Sequence, residues 1–488
     1  MTFTQRSLRI GGALGAAVVL ATLCIFTARG TAAKAPTSLE SSRADTITST
    51  VFLPMVASRY DPSLGTPPFG VQMYGYLNAN TGITYAVDIG ASWVRVPVSW
   101  RLIEPTDVRP DQYNWADPDN TITDPAQRGL NLLVTINAAP EWAATYTNGP
   151  IDKVDIGEFT EFVGSLVERY DGDGFDDAPG SPVVNDWEFY NEPDCGDEFR
   201  ASLPGGAYAY WGPFGDEYAA MLKAVYPVVK EANPNAHVVF GGMSYDWFED
   251  QDGIFVREFL DDVLAAGGGD YFDVMNIHSY PAFCTNWATQ GPGLLQKTES
   301  VRAKMVSYGV HKPIIITETG WFSNGDPPHY SSPESQARHV VELFTQGIAG
   351  DAQVLIWFML KEPGGFYGDW GLLDYELSPK PSYVAYQTIS DELGAAHFER
   401  ILSPAETRAS DMEAYRFSDK LHQKDIYVAW LDPMDTSNEQ PLLLSSLTAT
   451  VRDIYGNAHD VADGDDGMLD GMVTIEVGGQ PVYVEIAW

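Results

Sequence analysis

The stretch Trp187-Glu188-Phe189-Tyr190-Asn191-Glu192-Pro193-Asp194 carries an apolar, aromatic run into an amide, a carboxylate and a proline. Trp, Phe and Tyr favour a pleated, packed backbone, and Pro193 cannot donate to a sheet ladder. The run therefore predicts a strand that stops at Glu192. A second segment, Pro313-Ile314-Ile315-Ile316-Thr317-Glu318-Thr319-Gly320-Trp321, repeats the form and closes on Glu318. A single carboxylate at a strand end often caps a neighbouring helix. Two glutamates at the ends of parallel strands can instead flank one bond, as acid/base and nucleophile. Strand period two puts Glu188 on the side of Glu192 but deeper, so it predicts a buried structural carboxylate, with Arg95 as candidate partner.

Outward from these segments, a strand–helix alternation runs from about residue 69 and argues for a parallel sheet covered by helices. Strands are predicted over 69–74, 92–98, 132–137, 186–192, 237–241, 272–278, 313–318 and 354–360, and eight is the number that closes a barrel. Helices are predicted over 82–89, 155–170, 214–232, 253–266 and 294–308. Another starts at Ser332-Pro333, and a last one runs from Lys380-Pro381 to about Leu393. Beyond Ala396, alternating segments at 425–431, 442–451, 472–477 and 481–488 predict antiparallel strands. The expected fold is an α/β (β/α)8 TIM barrel over 66–393 with a small β-sandwich-like module over 394–488. A chain of 488 residues has room for both.

Residues 1–33 have the form of a secretory signal: Arg6 and Arg9, an apolar run, then Thr31-Ala32-Ala33. An uncleaved leader would be the one membrane attachment. Residues 34–65, rich in Ser, Thr, Ala and Pro, read as a flexible linker. The expected location is secreted or cell-surface. The net of +3 on residues 1–50 leaves −41 on the rest of a chain whose formal total is −38. Such a surface repels phosphate backbones and polyanionic sugars, so nucleic acid is excluded as a partner and a neutral carbohydrate is favoured. Three cysteines occur, Cys24 in the leader, Cys195 and Cys284. The last two follow strands four and six, where one disulfide or two thiols fit equally well.

The site of an eight-stranded barrel lies at the carboxyl ends of its strands. There the chain places Arg95, Asn137, Trp142, Asn191, Tyr245, His278, Tyr280, Trp321 and Trp357 around the two glutamates. Trp100, Trp247, Trp287 and Trp370 add to this aromatic ring. Pyranose C–H faces lie on aromatic planes while their hydroxyls take Asn, His and Tyr partners, so a sugar is the expected ligand. No Cys/His cluster has zinc spacing and no His-Glu-x-x-His occurs, so no metal is assigned to the site. Asp171-Gly172-Asp173-Gly174-Phe175-Asp176-Asp177 resembles the start of a calcium loop through Asp171, Asp173 and Asp177. It lacks the bidentate Glu five residues on, and is read first as a solvated acidic turn.

Over residues 69–393 the chain resembles the clan A glycoside hydrolases, the (β/α)8 superfamily of retaining β-glycosidases. The resemblance rests on Asn191-Glu192-Pro193, Glu318, Arg95, His278-x-Tyr280 and Trp357. It implies Glu192 as acid/base, Glu318 as nucleophile and Asn191 bonded to the sugar 2-hydroxyl. Arg95 and Tyr280 would hold Glu318 ionised, and His278 and Trp357 would line the first subsite. The terminal β-module and the Leu372-Leu373-Asp374…Lys380-Pro381 run look like family 39 and some family 5 members. Thr317-Glu318-Thr319-Gly320-Trp321 is nearer in look to the clan's β-1,3-glucanases. The expected activity is hydrolysis of β-glycosidic bonds in a neutral polysaccharide or oligosaccharide by double displacement, without an organic cofactor. The alternative is a surface carbohydrate-binding protein on a glycosidase barrel that no longer turns over.

Overall fold

A computed structural model describes residues 66–75, 77–78, 81–196, 210–251, 253–281, 293–325, 331–362 and 369–488. The leader, the linker, Cys284 and Trp287 lie outside these residues. The eight expected strands are present: β1 (Phe69–Gln72), β2 (Trp93–Ser99), β3 (Asn131–Asn137), β4 (Asp186–Phe189), β5 (His237–Val239), β6 (Met275–Ser279), β7 (Ile314–Thr319) and β8 (Ala352–Trp357). They form one parallel sheet in the order β5-β4-β3-β2-β1-β8-β7-β6. The bridges Val239↔Val274 and Met243↔Ile277 bring β5 beside β6, so the barrel is nearly closed. Among the described residues each strand is followed by a helix: α1 (Ile83–Asp88), α2 (Ala116–Gln127), α3 (Ile156–Arg169), α4 (Gly215–Ala232), α5 (Phe259–Ala265), α6 (Leu294–Ser307), α7 (Pro333–Ala349) and α8 (Pro381–Leu393).

Local chemistry explains the helix starts. Ser332 accepts the Ser335 N–H at the head of α7, with Pro333 in the first turn, and Asp155 accepts the Gly157 N–H at the head of α3. Helix α5 begins six residues later than the sequence pattern suggests. Helix α2 was not anticipated. Its sequence, ADPDNTITDPAQ, holds two prolines and a single large apolar side chain, Ile122, so it shows almost no apolar stripe. Tertiary contacts stabilise it: Asp119 accepts from Arg169 at 2.7 and 2.9 Å and from the Tyr170 hydroxyl at 2.7 Å.

Inside the barrel, side chains stand in layers. Leu133, Val239, Ile315, Val354 and Ile356 pack together with Trp93 and Val274 at the bottom. Two residues further along their strands, the same face carries Arg95, Thr135, Asn276, Thr317 and Phe358. Period-two alternation thus turns an apolar floor into a polar, aromatic mouth.

Residues 397–487 form an antiparallel module in which a six-stranded sheet faces a two-stranded one. The apolar layer between them includes Leu431, Leu442, Leu444, Val473, Ile475, Val477 and Val484. The single strand expected over 442–451 is two: Gln440–Ser445 pairs in the small sheet, and Thr448–Asp453 in the large one. The turn at Ser446-Leu447, with Leu447 exposed, lets the chain change sheets. Glu392 of α8 ties the barrel to this module, 2.7 Å from Arg452 and 3.3 Å from Lys424, and Gln346 of α7 donates to Glu413 at 3.2 Å.

Candidate active site

Strand β4 ends at Phe189, three residues before the expected Glu192. Tyr190 and Glu192 then adopt left-handed backbone, φ 64° and 45°, a conformation that costs a non-glycine residue about 1–3 kcal/mol and recurs at functional sites. The reversals break the alternation. Tyr190 turns outward onto Trp211 and Phe159, Asn191 turns inward, and Glu192 stands at the mouth, 6% exposed. The Glu192 N–H is held by the Gly242 carbonyl at 3.0 Å. Gly242 has to be glycine: a Cβ there would lie 2.1 Å from His278 Nε2.

Strict alternation along β7 from the inward Ile315 would point Glu318 outward. The pairing with β6 instead shifts, Ile277 facing Ile316 and His278 facing Glu318, so that Thr317 is the extra residue of a bulge. Both Thr317 and Glu318 therefore reach the interior, and a bulge that re-aims a side chain beside a site is a recurrent device. Thr317 Oγ1 lies 3.1 Å from His278 Nε2, and the Glu318 carboxylate meets Arg95.

Arg95 organises the interior. Its guanidinium donates to both oxygens of Glu188 at 2.7 and 2.9 Å, to Gln72 at 3.0 Å, to Asn191 Oδ1 at 2.6 Å and to Glu318 Oε1 at 2.6 Å. Glu188 is buried and also accepts from Thr135, the Gly242 N–H and Asn276, so the expected pairing with Arg95 is present. The second Glu318 oxygen accepts from the Tyr280 hydroxyl at 2.6 Å. His278 Nδ1 lies 3.2 Å from Glu192 Oε1 and 3.7 Å from Glu318 Oε2. Oxygens of Glu192 and Glu318 and a ring nitrogen of His278 all fall within 4.8 Å of one another.

The two carboxyls differ electrostatically. Burial raises Glu192 well above the carboxylate range, and the charges of Glu318 and Asp194 raise it further. Burial also raises Glu318, but Arg95 and the Tyr280 hydroxyl oppose it. Burial together with Arg95 and Lys297 pushes His278 well down, which keeps its imidazole neutral. Asp194 is raised by burial to about 6, while its oxygens accept the Ser244 and Tyr245 N–H groups.

Arg95, Asn191, Glu192, His278, Tyr280 and Glu318 are thus brought together. Asn137 is half-buried at the end of β3, opposite Ser99. Trp142 stands half-buried on Trp100, its indole N–H bonded to the Glu104 carbonyl at 3.1 Å. Three expected site residues are elsewhere. Trp357 is fully buried against Phe344 of α7, because alternation from the inward Val354 and Ile356 turns it outward. Tyr245 packs on Phe248 beside Lys304 of α6, its backbone fixed by Asp194. Trp321 lies on His339 of α7, ring centroids 3.7 Å apart, and donates to Ser331. Phe358 takes the position expected of Trp357: it packs edge-on against Tyr280 and Tyr74, with Trp370 against both Phe358 and Tyr280. The strand parity of β8 was the available signal for it. Thr317, Asp194 and Lys297 carried none. In the loop that leads from α3 into β4, at the end of the barrel opposite the mouth, oxygens of Asp171, Asp173 and Asp177 also converge within 4.8 Å, and they accept N–H groups of their own loop from Asp173, Gly174 and Phe175.

Among solved structures, a family 39 glycoside hydrolase from the gut symbiont Bacteroides cellulosilyticus WH2 is similar at 18% identity. The match covers 86% of this chain and 81% of that one with a TM-score of 0.64. A glucosidase from Croceicoccus marinus is similar at 16% identity, over 86% and 95%, with a TM-score of 0.58. A GH30 endoxylanase from Clostridium papyrosolvens C71 is similar at 11%, over 86% and 97%, at 0.57. At these identities the likeness is one of fold. No curated protein matches the chain in sequence. Residues 62–357, more than half of the chain, match Cellulase (glycosyl hydrolase family 5). The chain therefore belongs to glycosyl hydrolase family 5, within the clan A glycoside hydrolases.

Proposed function

We propose that this chain is a secreted retaining β-glycosidase that cleaves a neutral polysaccharide or oligosaccharide by double displacement, with Glu192 as acid/base and Glu318 as nucleophile. The observation that carries the reading is the approach of the two carboxyls within 4.8 Å, oxygen to oxygen. Retention calls for a separation of about 5–5.5 Å, whereas inversion needs roughly 6.5–9.5 Å to admit a water between base and sugar. The leader sequence supports secretion, and the acidic surface supports a neutral substrate.

In the first step a Glu318 oxygen attacks the anomeric carbon, the glycosidic C–O bond breaks, and the Glu192 proton passes to the departing oxygen. The ester that forms has lost the charge of Glu318. The largest nearby anion acting on Glu192 is then gone, so its carboxyl becomes more acidic and, now ionised, can act as base. In the second step water attacks the anomeric carbon, Glu192 takes its proton, and Glu318 leaves as carboxylate. The amide nitrogen of Asn191 is buried without a hydrogen-bond partner, a donor suited to the sugar 2-hydroxyl. Phe358, Tyr74 and Trp370 supply the apolar wall for a pyranose face.

Proton NMR of the first-formed product tests this reading. The account expects the anomeric configuration of the substrate to be kept. Initial release of the opposite anomer contradicts it.

A further inference from the structure

Lys297 of α6 is 1% exposed, and the double displacement makes no direct use of it. Lysine is almost never fully buried unless paired. Its ammonium lies 2.9 Å from the Ser244 carbonyl, 3.2 Å from the His278 carbonyl and 3.2 Å from Asp246 Oδ2. These oxygens belong to the segment after β5 and to β6, the two pieces of chain that run beside Glu192.

The segment 242–245 is the link between them. Its Gly242 carbonyl holds the Glu192 N–H, its Met243 carbonyl holds the His278 N–H at 2.7 Å, and its Ser244 and Tyr245 N–H groups are held by Asp194. The Glu192 carboxyl itself rests on His278 Nδ1. Both the backbone of Glu192 and its imidazole partner therefore depend on where this segment lies. Lys297 fastens that segment to His278, with Asp246 as its counter-charge. Among the described residues, Asp194 and Glu192 from the chain after β4 and the neutral His278 also feel the Lys297 charge.

We propose that Lys297 is a positioning residue for proton transfer: it clamps residues 244–246 to His278 so that the Glu192 carboxyl stays aimed at the leaving-group oxygen. The inference rests on the assignment of Glu192 above. A misplacement of about 1 Å at a proton donor is enough to cost on the order of 10²-fold in rate.

The test compares the full-length parent with Lys297→Met, and with the double variant Lys297→Met/Asp246→Asn, which removes both charges so that Asp246 is not left as a buried carboxylate without its ammonium partner. Each is assayed on an activated dinitrophenyl glycoside, which needs no acid, and on the unsubstituted phenyl glycoside, which does. Both variants are expected to lose ~10²-fold in kcat/KM on the phenyl substrate and only a few-fold on the activated one. An equal loss on both substrates, or no loss in the double variant, overturns the proposal. Glu192→Ala run in parallel separates the two ways of failing. If it discriminates between leaving groups and the Lys297 variants do not, the positioning role alone is wrong. If it does not discriminate, the assignment of Glu192 is wrong and this proposal falls with it.

Discussion

Glu318→Ala is expected to lower kcat/KM by about 10⁴–10⁶-fold on every substrate, whatever its leaving group. That corresponds to roughly 5–8 kcal/mol of transition-state stabilisation. The loss is large because, among the described residues, the other buried carboxylate inside the barrel, Glu188, lies beneath with its oxygens occupied by Arg95, Thr135, Asn276 and the Gly242 N–H. The fold should survive, since Arg95 keeps both oxygens of Glu188 and its bonds to Gln72 and Asn191. Steady-state kinetics beside a thermal melt checks both halves. Near-parental turnover by a folded variant would remove Glu318 from the mechanism.

Glu192→Ala should behave differently, with a loss that depends on the leaving group. On the phenyl glycoside kcat/KM should fall about 10²–10⁴-fold, the usual worth of a positioned acid. On the dinitrophenyl glycoside the glycosylation step should be nearly intact, and added azide should restore turnover. Azide needs no general base, so it attacks the glycosyl ester directly and yields a glycosyl azide of retained configuration. The pH profile carries the same information. Glu192 must be protonated to act as acid and its folded-state pKa is raised, so the parent's kcat/KM is held below that pKa and lost as pH rises through it. Because the two carboxyls titrate as a pair, that limb reports the pair rather than one residue. In Glu192→Ala, assayed on the activated substrate, the alkaline limb should be absent. An unchanged limb would assign the titration to another group.

The strand count and the two glutamates were legible because parallel strands buried on both faces read as apolar runs, and the two runs over 186–192 and 313–318 lead into a carboxylate. Side-chain direction was legible where period two holds. Arg95 and Glu188 follow it, and so does Phe358, which the resemblance to the clan passed over in favour of Trp357. The direction of Glu318 was not legible from period, because the bulge at Thr317 exists only in the pairing of β7 with β6. The reversal at Tyr190 and Glu192 is of the same kind: it goes with the hydrogen bond from the Glu192 N–H to the Gly242 carbonyl, a contact between segments far apart along the chain. Lys297 gave no signal, since a lysine on a helix reads as exposed until the chain after β5 is seen to bring Ser244 and Asp246 against it. The outward turns of Tyr245 and Trp321 likewise follow from loop paths that no local pattern records.

A 2-deoxy-2-fluoro glycoside of a neutral sugar with a good leaving group offers the most direct trial of the two-carboxylate account. Fluorine at C2 destabilises the oxocarbenium-like transition states of both steps, while the good leaving group keeps formation of the glycosyl ester faster than its hydrolysis, so the ester should accumulate. Intact-mass and peptide analysis should find one fluoroglycosyl group per chain, bonded to Glu318. An adduct on Glu192, or none at all alongside a product of inverted configuration, would contradict the account.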